Sequence, residues 1–512
     1  MTAFLLADKP AGVATHSPDG EREGFVEYLT RTGGGEDLRV CHRLDKGTSG
    51  AIVFARTGEA ARELADLFAR HEVSKRYLML TDRQPALDDE IELTTEIARG
   101  NGGEWISSHP RAGGGNASSH FRRLRQTDHH TLWEVRPRTG KPHQIRLHAE
   151  QLGIPVLGDA DHGGTPFCRV MLHAAEVAFC SESAGEIHHS VSVPIPFEDL
   201  NLLHELELTS WLVDLDRRRR LFSIDDGATV RLVHDGDVRC DLFGSVCWFY
   251  WYRNLPPEQN DLDRVARFAA VVGASQWKVQ VMGDRGGDPQ ERRQYCSDEL
   301  DGWTAQEHDL QYRFKAGQGL SPGLFLDQRQ NRLWLKENTA GRKVLNLFSY
   351  TAGFSLCAAI GGAAEVVSVD TSKSTLKWAK ENFALNGLAG EQFEFWTAEA
   401  RFFLRGCENR DRRFDVIVCD PPSFSRSQNG VFRIEDDLPG LVMQILAVLE
   451  PGGTALISTN FEGWNQAQLE KVVEQAAAGS AGHTERTPLP DWDFELPGTD
   501  PLMKSLVLQK DF

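Results

Sequence analysis

No stretch of this sequence approaches the roughly 20 consecutive apolar residues that a membrane-spanning helix needs, so no such span is expected. Residues Met1 to Pro10 lack the basic leader and long apolar core of an export signal. The nine cysteines are odd in number, irregularly spaced and free of paired CxxC clusters. Neither a disulfide framework nor a zinc site is therefore expected, no metal is called for, and a reducing cytoplasm fits. Positive charge is also short: 56 Lys and Arg against 74 Asp and Glu leave a net −18. That balance argues against a nonspecific nucleic-acid coat but leaves room for a local basic groove. Internal repeats and long low-complexity segments are absent as well. What is present is ordinary for a soluble globular chain, with 40% hydrophobic and 25% charged residues. Its 512 residues are enough for two or three domains.

Candidates for a basic groove are Arg122, Arg123, Arg125, Arg136, Arg138, Lys141 and Arg146, together with the run Arg217 to Arg220. The plain alternative for the four-arginine run is solvated surface charge.

From Ala3 to about Glu198, short apolar strands are broken by Gly, Pro and Asp, with one clear helix across Glu59 to His71. This predicts a mostly antiparallel α+β domain. Charged turns, an aromatic cluster from Trp248 to Tyr252 and a helix around Leu262 to Val272 then suggest a connector with a small α+β domain. The aromatic cluster reads as buried strand first, and as a stacking surface for single-stranded bases second. From Lys343 onward, strands at Val344–Phe348, Val366–Val369 and Phe414–Cys419 alternate with helices near Ser355 and over Thr375–Asn386. Such alternation predicts a parallel sheet with helices on both faces, a Rossmann-like α/β domain. The expected boundaries are 1–200, 201–318 and 319–512.

His42 to Gly50, HRLDKGTSG, puts a carboxylate beside a guanidinium in a turn of small residues ahead of the strand Ala51–Phe54. On its own, an Asp in such a turn reads as a turn or capping residue. The nine residues resemble the HRLDxxTSG signature of RluA-type pseudouridine synthases. Asp8-Lys9-Pro10-Ala11-Gly12, Lys75-Arg76-Tyr77-Leu78 and Thr139 to Arg146, TGKPHQIR, follow the family in order. The likeness spans about 180 residues. It implies that Asp45 is the reacting carboxylate, that Arg146 pairs with it, and that Tyr77 lies against the uracil. Uridine isomerisation needs an ionised carboxylate, and a neighbouring arginine favours that form; no cofactor is required. The target base must leave its stack, and an aromatic ring can hold it. Arg43, Lys141 and His143 are the expected RNA contacts, Arg43 through bidentate phosphate binding. Lys141-Pro142 departs from the family's usual Arg-Thr, and no small RNA-binding domain is seen ahead of Lys9, which leaves RNA affinity to the rest of the chain.

Val344 to Phe354, VLNLFSYTAGF, is an apolar strand, a small-residue loop and a helix start. The next strand ends at Asp370, where a carboxylate can accept from ribose hydroxyls or serve as a helix cap. A third runs into Asp420-Pro421-Pro422-Ser423-Phe424. NLFSYTAGFS, the downstream DPPSF and the upstream Gly323 to Arg329, GLFLDQR, resemble the RlmI/RlmK-like class I S-adenosylmethionine-dependent rRNA methyltransferases. The likeness covers about Ser321 to Phe461. It implies that S-adenosylmethionine binds with Asn346 and Gly353 beside its methionine part, Asp370 on the ribose and Glu399 near the adenine. The family more often has Asp at the position of Glu399. Asp420, Pro421 and Pro422 form an acceptor-rich rim, which also borders the cofactor, and Phe424 offers a ring to the target base.

Carbon-5 methylation of cytosine normally uses a cysteine thiolate. The strand Leu456 to Phe461 carries none, and Cys419 reads as a buried, inert strand end. A base nitrogen is therefore the expected acceptor, guanine N7 first and an exocyclic amine second. The sequence as a whole points to a bifunctional enzyme on RNA, with large-subunit ribosomal RNA or a ribosome assembly intermediate as the expected partner. The alternatives are an active isomerase with a noncatalytic cofactor-binding module, a tRNA-directed enzyme, or an enzyme of small molecules or proteins.

Overall fold

The computed structural model describes residues 3–17, 23–33, 37–110, 114–222, 224, 227–282, 294–298, 300–317, 319, 321–427, 430–478, 482–487, 491–494 and 502–511. Two compact units form, Met1–Ser223 with Leu496–Gly498, and Ile224–Glu495 with Thr499–Phe512. The stretch 201–318 divides between them at Ser223. Among the described residues, no helix is long and apolar enough to cross a membrane.

The first unit is built on a ten-stranded sheet. Its path runs Phe4–Lys9, Ser49–Ala55, Leu172–Ser181, Ser74–Thr81, Thr131–Pro137, Ala117–Gln126, Glu90–Arg99, Trp105–Ser108. Gly185–Ser190 pairs with Leu172–Ser181, and Arg39–Val40 with Ser49–Ala55. Every pairing is antiparallel except Ser49–Ala55 with Leu172–Ser181. All seven residues of Ser49–Ala55 are buried, so this strand is covered on both faces and fixes the loop before it. The predicted helix is Gly58–Ala69; Thr57 caps it by accepting from Ala60 N–H, and Ala60, Leu64 and Leu67 bury one stripe. The helix Gln144–Gln151 packs Ile145 and Ala149 against Met79, Phe121, Trp133 and Val135 of the sheet. That contact sets the bearing of Arg146, one residue beyond Ile145.

The second unit holds a five-stranded sheet in the order Thr229–Asp235, Val238–Phe243, Val246–Trp251, Gln276–Val281, Gln294–Cys296, with the helix Gln259–Val272 as its parallel crossover. The aromatic cluster is core: Trp248 and Phe249 are fully buried and Trp251 is 1% exposed, while Tyr252 reaches 41%. The seven-stranded sheet runs Phe393–Thr397, Glu365–Asp370, Lys343–Leu347, Phe414–Cys419, Leu449–Thr459, Lys504–Lys510, Gly482–Arg486. The first five are parallel, Lys504–Lys510 runs antiparallel to them, and Gly482–Arg486 pairs antiparallel with Lys504–Lys510. Lys343–Leu347 lies between Glu365–Asp370 and Phe414–Cys419, so the strand order reverses beside it. A crevice outside the carboxyl ends at such a reversal is where doubly wound sheets bind ligands.

Candidate functional sites

In the first unit, the HRLDKGTSG turn is assembled by groups that the sequence scatters. Thr15 Oγ1 donates to Leu44 O at 2.9 Å and accepts from Leu44 N–H at 3.2 Å. Gly12 N–H donates to Lys46 O at 2.8 Å, and the fully buried Lys9 amine reaches Val13 O at 2.7 Å and Lys46 O at 3.5 Å. The DKPAG segment therefore holds the loop that presents Asp45. Burial, with Arg169 adding to it, lowers the Lys9 pKa to about 7. His42 accepts from Val53 N–H through Nε2 at 3.0 Å, and burial lowers its pKa to about 3, so it is a neutral strut. Gly50 has φ +118°, and a Cβ there would lie 2.1 Å from Ala174 O; only glycine fits.

The structure brings Asp45, Arg146, Tyr77 and His143 together. Arg146 Nη1 stands 3.5 Å from Asp45 Oδ2. Its Nε and Nη2 are committed to Asp159 at 2.6 Å each, with Asp161 at 3.3 Å. Against the pull of burial, Asp159 and Asp45 hold the guanidinium pKa up. Burial first, then the Asp45 charge, pushes the Tyr77 phenol up, so it stays protonated. His143 sits in the left-handed region at φ 55° and its Nδ1 lies 3.1 Å from His162 Nε2. Burial lowers its pKa despite the Asp45 charge. Arg43 and Lys141 are exposed. Asp159 and His162 are absent from the sequence-based site, where Gly158-Asp159, a turn between apolar segments, is the available signal, and Lys9 enters there only within the DKPAG segment.

Three of the four arginines from Arg217 to Arg220 turn inward, against both the groove reading and the reading as solvated charge, and Arg219 alone is exposed. Arg217 is 7% exposed, Arg218 fully buried and the Arg220 side chain 1% exposed. Arg220 pairs with Asp8 and, through two nitrogens, with Asp216, while Arg218 meets Asp214 at 2.7 Å. Acids four residues earlier in the chain and one from the first strand draw the arginines inward. The other arginine candidates for the groove carry partners too. Arg122 and Arg136 share Glu134 at 3.0 Å each, Arg123 lies over Trp133, Arg125 donates to Phe197 O and Glu198 O, and Arg138 pairs with Glu92.

In the second unit, Asn346, Asp370, Glu399 and Asp420 all lie at or just beyond the carboxyl ends of adjacent parallel strands. The loop after Lys343–Leu347 is strained: Phe348, Tyr350 and Ala352 have φ of 56°, 48° and 64°. Non-glycine residues in that region cost ~1–3 kcal/mol each and cluster at ligand clamps. Asp370 stabilises the loop by accepting from Tyr350 N–H at 2.9 Å and Ser372 N–H at 2.8 Å. Ser372, not Asp370, caps the following helix. Gly353 opens its helix with its bare side against Leu324, whose Cδ1 would lie 3.0 Å from a Cβ there. Its small size admits the GLFLDQR segment. Glu399 caps its helix, accepting from Arg401 N–H at 3.2 Å and Phe402 N–H at 3.1 Å.

Asp420 Oδ1 accepts from Ser458 Oγ at 2.7 Å. Burial raises its pKa to about 6, offset in part by Ser458, Gln328 and Arg332. Pro421 is buried and Pro422 exposed. Phe424 is 41% exposed with Arg433 over its ring at 5.5 Å. Phe325, absent from the sequence-based site, is 48% exposed and lies 5.4 Å from the Tyr350 ring. Cys419 is fully buried, and burial pushes its thiol far up; it offers no thiolate.

The residues present fit S-adenosylmethionine. Asn346 gives its amide hydrogens to Ser355 at 2.9 Å, leaving buried Oδ1 without a hydrogen-bond partner among the described residues, as is the buried Ser349 Oγ. A ligand carrying an ammonium and a carboxylate supplies what such groups need.

The chain itself carries the marks of two enzyme domains, and comparisons assign both. Residues 3–151 match the RNA pseudouridylate synthase family, and residues 252–506 match the S-adenosylmethionine-dependent methyltransferase family. The chain thus joins a pseudouridylate synthase domain to an S-adenosylmethionine-dependent methyltransferase domain. It is 40% identical over 156 residues to a ribosomal RNA large subunit methyltransferase K/L of Shewanella oneidensis, covering 30% of this chain and 22% of that relative. The chain therefore spans about a fifth of the curated relatives it matches. A methyltransferase complexed with SAH has TM-score 0.51 and 22% identity, over 71% of this chain and 98% of its own. A protein of Streptococcus mutans described as a SAM-dependent methyltransferase has TM-score 0.50 and 22% identity, over 66% and 88%. These two likenesses show the fold.

Proposed function

We propose that the chain is a bifunctional RNA-modifying enzyme of the cytoplasm that converts a uridine to pseudouridine and methylates a base nitrogen, with large-subunit ribosomal RNA as substrate. The observation that carries the first half is the Asp45–Arg146 pair at 3.5 Å on a loop braced from behind. Residues 1–200 carry this chemistry, 319–512 the methyl transfer, and 201–318 connect them.

At the first site Asp45 acts on the flipped uridine, with the Arg146 guanidinium 3.5 Å from its carboxylate. The N1–C1′ bond breaks and the C5–C1′ bond forms. C5 loses a proton and N1 gains one, so the reaction is an isomerisation that needs no co-reactant. The protonated Tyr77 supports the base, and Arg43, Lys141 and His143 hold the RNA backbone.

At the second site, Asn346, Ser349 and Asp370 would hold S-adenosylmethionine around the strained loop, beside Gly353, and Glu399 borders the adenine through the helix start it caps. Bound there, the cofactor supplies an electrophilic methyl group. Asp420 accepts from an N–H of the target base, Pro421 and Pro422 present carbonyls without competing N–H groups, and Phe424 stacks on the ring. With Cys419 buried, guanine N7 is the first acceptor and an exocyclic amine the second.

The test incubates purified chain with S-adenosylmethionine and ribosomal RNA from cells lacking it, then counts modified nucleosides by mass. One new pseudouridine and one N-methylated base are expected. Calorimetric binding of S-adenosylmethionine without methyl transfer identifies the second domain as a binding module, and modification of transfer RNA alone redirects the substrate.

A further inference from the structure

Four buried polar side chains lead to Asp420 in one direction. Ser505 Oγ donates to Asn331 Oδ1 at 3.3 Å, Asn331 Nδ2 to Gln328 Oε1 at 2.6 Å, and Gln328 Nε2 to Ser458 Oγ at 3.1 Å. Ser458 Oγ then gives its proton to Asp420 Oδ1 at 2.7 Å. Asn331 and Ser458 are fully buried, Gln328 is 4% exposed and Ser505 5%.

Burying two amides and two hydroxyls costs stability unless each is paired, and apolar residues would fill the space without that cost. The pairing also admits one orientation. Turning the Gln328 amide over would set its NH2 against that of Asn331 and its carbonyl against Ser458, drawing the serine proton away from Asp420. Asn331 therefore orients Gln328, Gln328 donates to the serine oxygen and also acts on Asp420 directly, and the serine proton goes to Asp420. Fixing Oδ1 fixes the plane of the carboxylate and hence where Oδ2 meets substrate.

We infer that Gln328 is a positioning residue for methyl transfer, acting through Ser458 to hold Asp420 in one orientation, with Asn331 and Ser505 locking its amide. This rests on the reading of Asp420 as part of the methyl-transfer rim. It also gives a physical role to the GLFLDQR segment: Gln328 stands at the end of the short 3-10 turn Leu326–Gln328, just ahead of the helix Arg329–Asn338. The charged groups acting on Asp420 are Asp327, which raises its proton affinity, and Arg332, which lowers it.

The experiment uses the full chain and the variants Ser458→Ala, Ser458→Thr and Gln328→Leu, with labelled S-adenosylmethionine and ribosomal RNA from cells lacking the protein. Ser458→Ala and Gln328→Leu are expected to lower kcat by roughly 10- to 100-fold, leave calorimetric S-adenosylmethionine binding unchanged and move the acid limb of the rate to higher pH. Ser458→Thr, which keeps the hydroxyl, restores most of the rate. Unchanged kcat and pH profile in both defective variants overturns the inference, as does failure of all three to bind the cofactor. If the unaltered chain binds the cofactor but transfers no methyl group, the functional reading falls, and a crystal structure of Ser458→Ala decides the relay. A rotated Asp420 supports it, and an unmoved one overturns it.

Discussion

Arg146 grips Asp159 with two hydrogen bonds of 2.6 Å while its remaining terminal nitrogen stands 3.5 Å from Asp45. Asp159 is thus the anchor that aims the guanidinium. Removing one partner of a buried pair leaves an uncompensated charge and costs ~3–5 kcal/mol. Asp159→Asn is expected to lose stability by an amount of that order and to slow pseudouridine formation, both measurable by denaturant unfolding and nucleoside analysis. Unchanged formation would show that Arg146 needs no anchor.

Gly50 tests the packing behind the same loop. With φ +118° and Ala174 O only 2.1 Å from where a Cβ would lie, Gly50→Ala must displace a strand. The expected cost is about 3 kcal/mol or more, seen as faster hydrogen exchange in Ser49–Ala55 and Leu172–Ser181.

The methyl-transfer rate should depend on pH through Asp420. Its folded pKa, raised by burial to about 6, lies above the 3.8 of an ordinary aspartate. Because the carboxylate form accepts the substrate N–H, the rate is expected to rise with pH through about 6. Stability has the opposite sign: the folded state holds this proton more tightly, so the contribution is present below pH 3.8 and lost as pH rises through 6. A rate profile flat from pH 5 to 7 would remove Asp420 from the chemistry.

RNA affinity should divide the arginines. Arg43→Ala is expected to weaken RNA binding and reduce the salt slope by about 1, without loss of stability. Arg220→Ala, which strands Asp8 and leaves Asp216 with Arg169 at 3.8 Å, is expected to destabilise the first unit while leaving the salt slope alone. Salt titrations of binding and thermal unfolding of both variants distinguish the two.

Much of this was legible in the residues. Phe414–Cys419 was read to the residue, and Lys343–Leu347 and Glu365–Asp370 to within one at each end, because continuous apolar runs between turns mark buried parallel strands. The aromatic run from Trp248 was read as core for the same reason. What local patterns do not show is pairing across the chain. The partner of Arg220 escapes the sequence because Asp8 lies 212 positions away, and Gln328 carries no individual expectation because Ser458 lies 130 positions away. Gly353 meets Leu324, whose Cδ1 would lie 3.0 Å from a Cβ there, another contact between segments that no local pattern shows.

Two active sites in one chain can be separated by mapping modified nucleosides in ribosomal RNA from cells complemented with Asp45→Ala or Asp420→Ala. Asp45→Ala is expected to lose one pseudouridine and keep the methyl group, and Asp420→Ala to do the reverse. If both modification maps match those of cells carrying the unaltered chain, neither carboxylate acts on ribosomal RNA and the account is wrong.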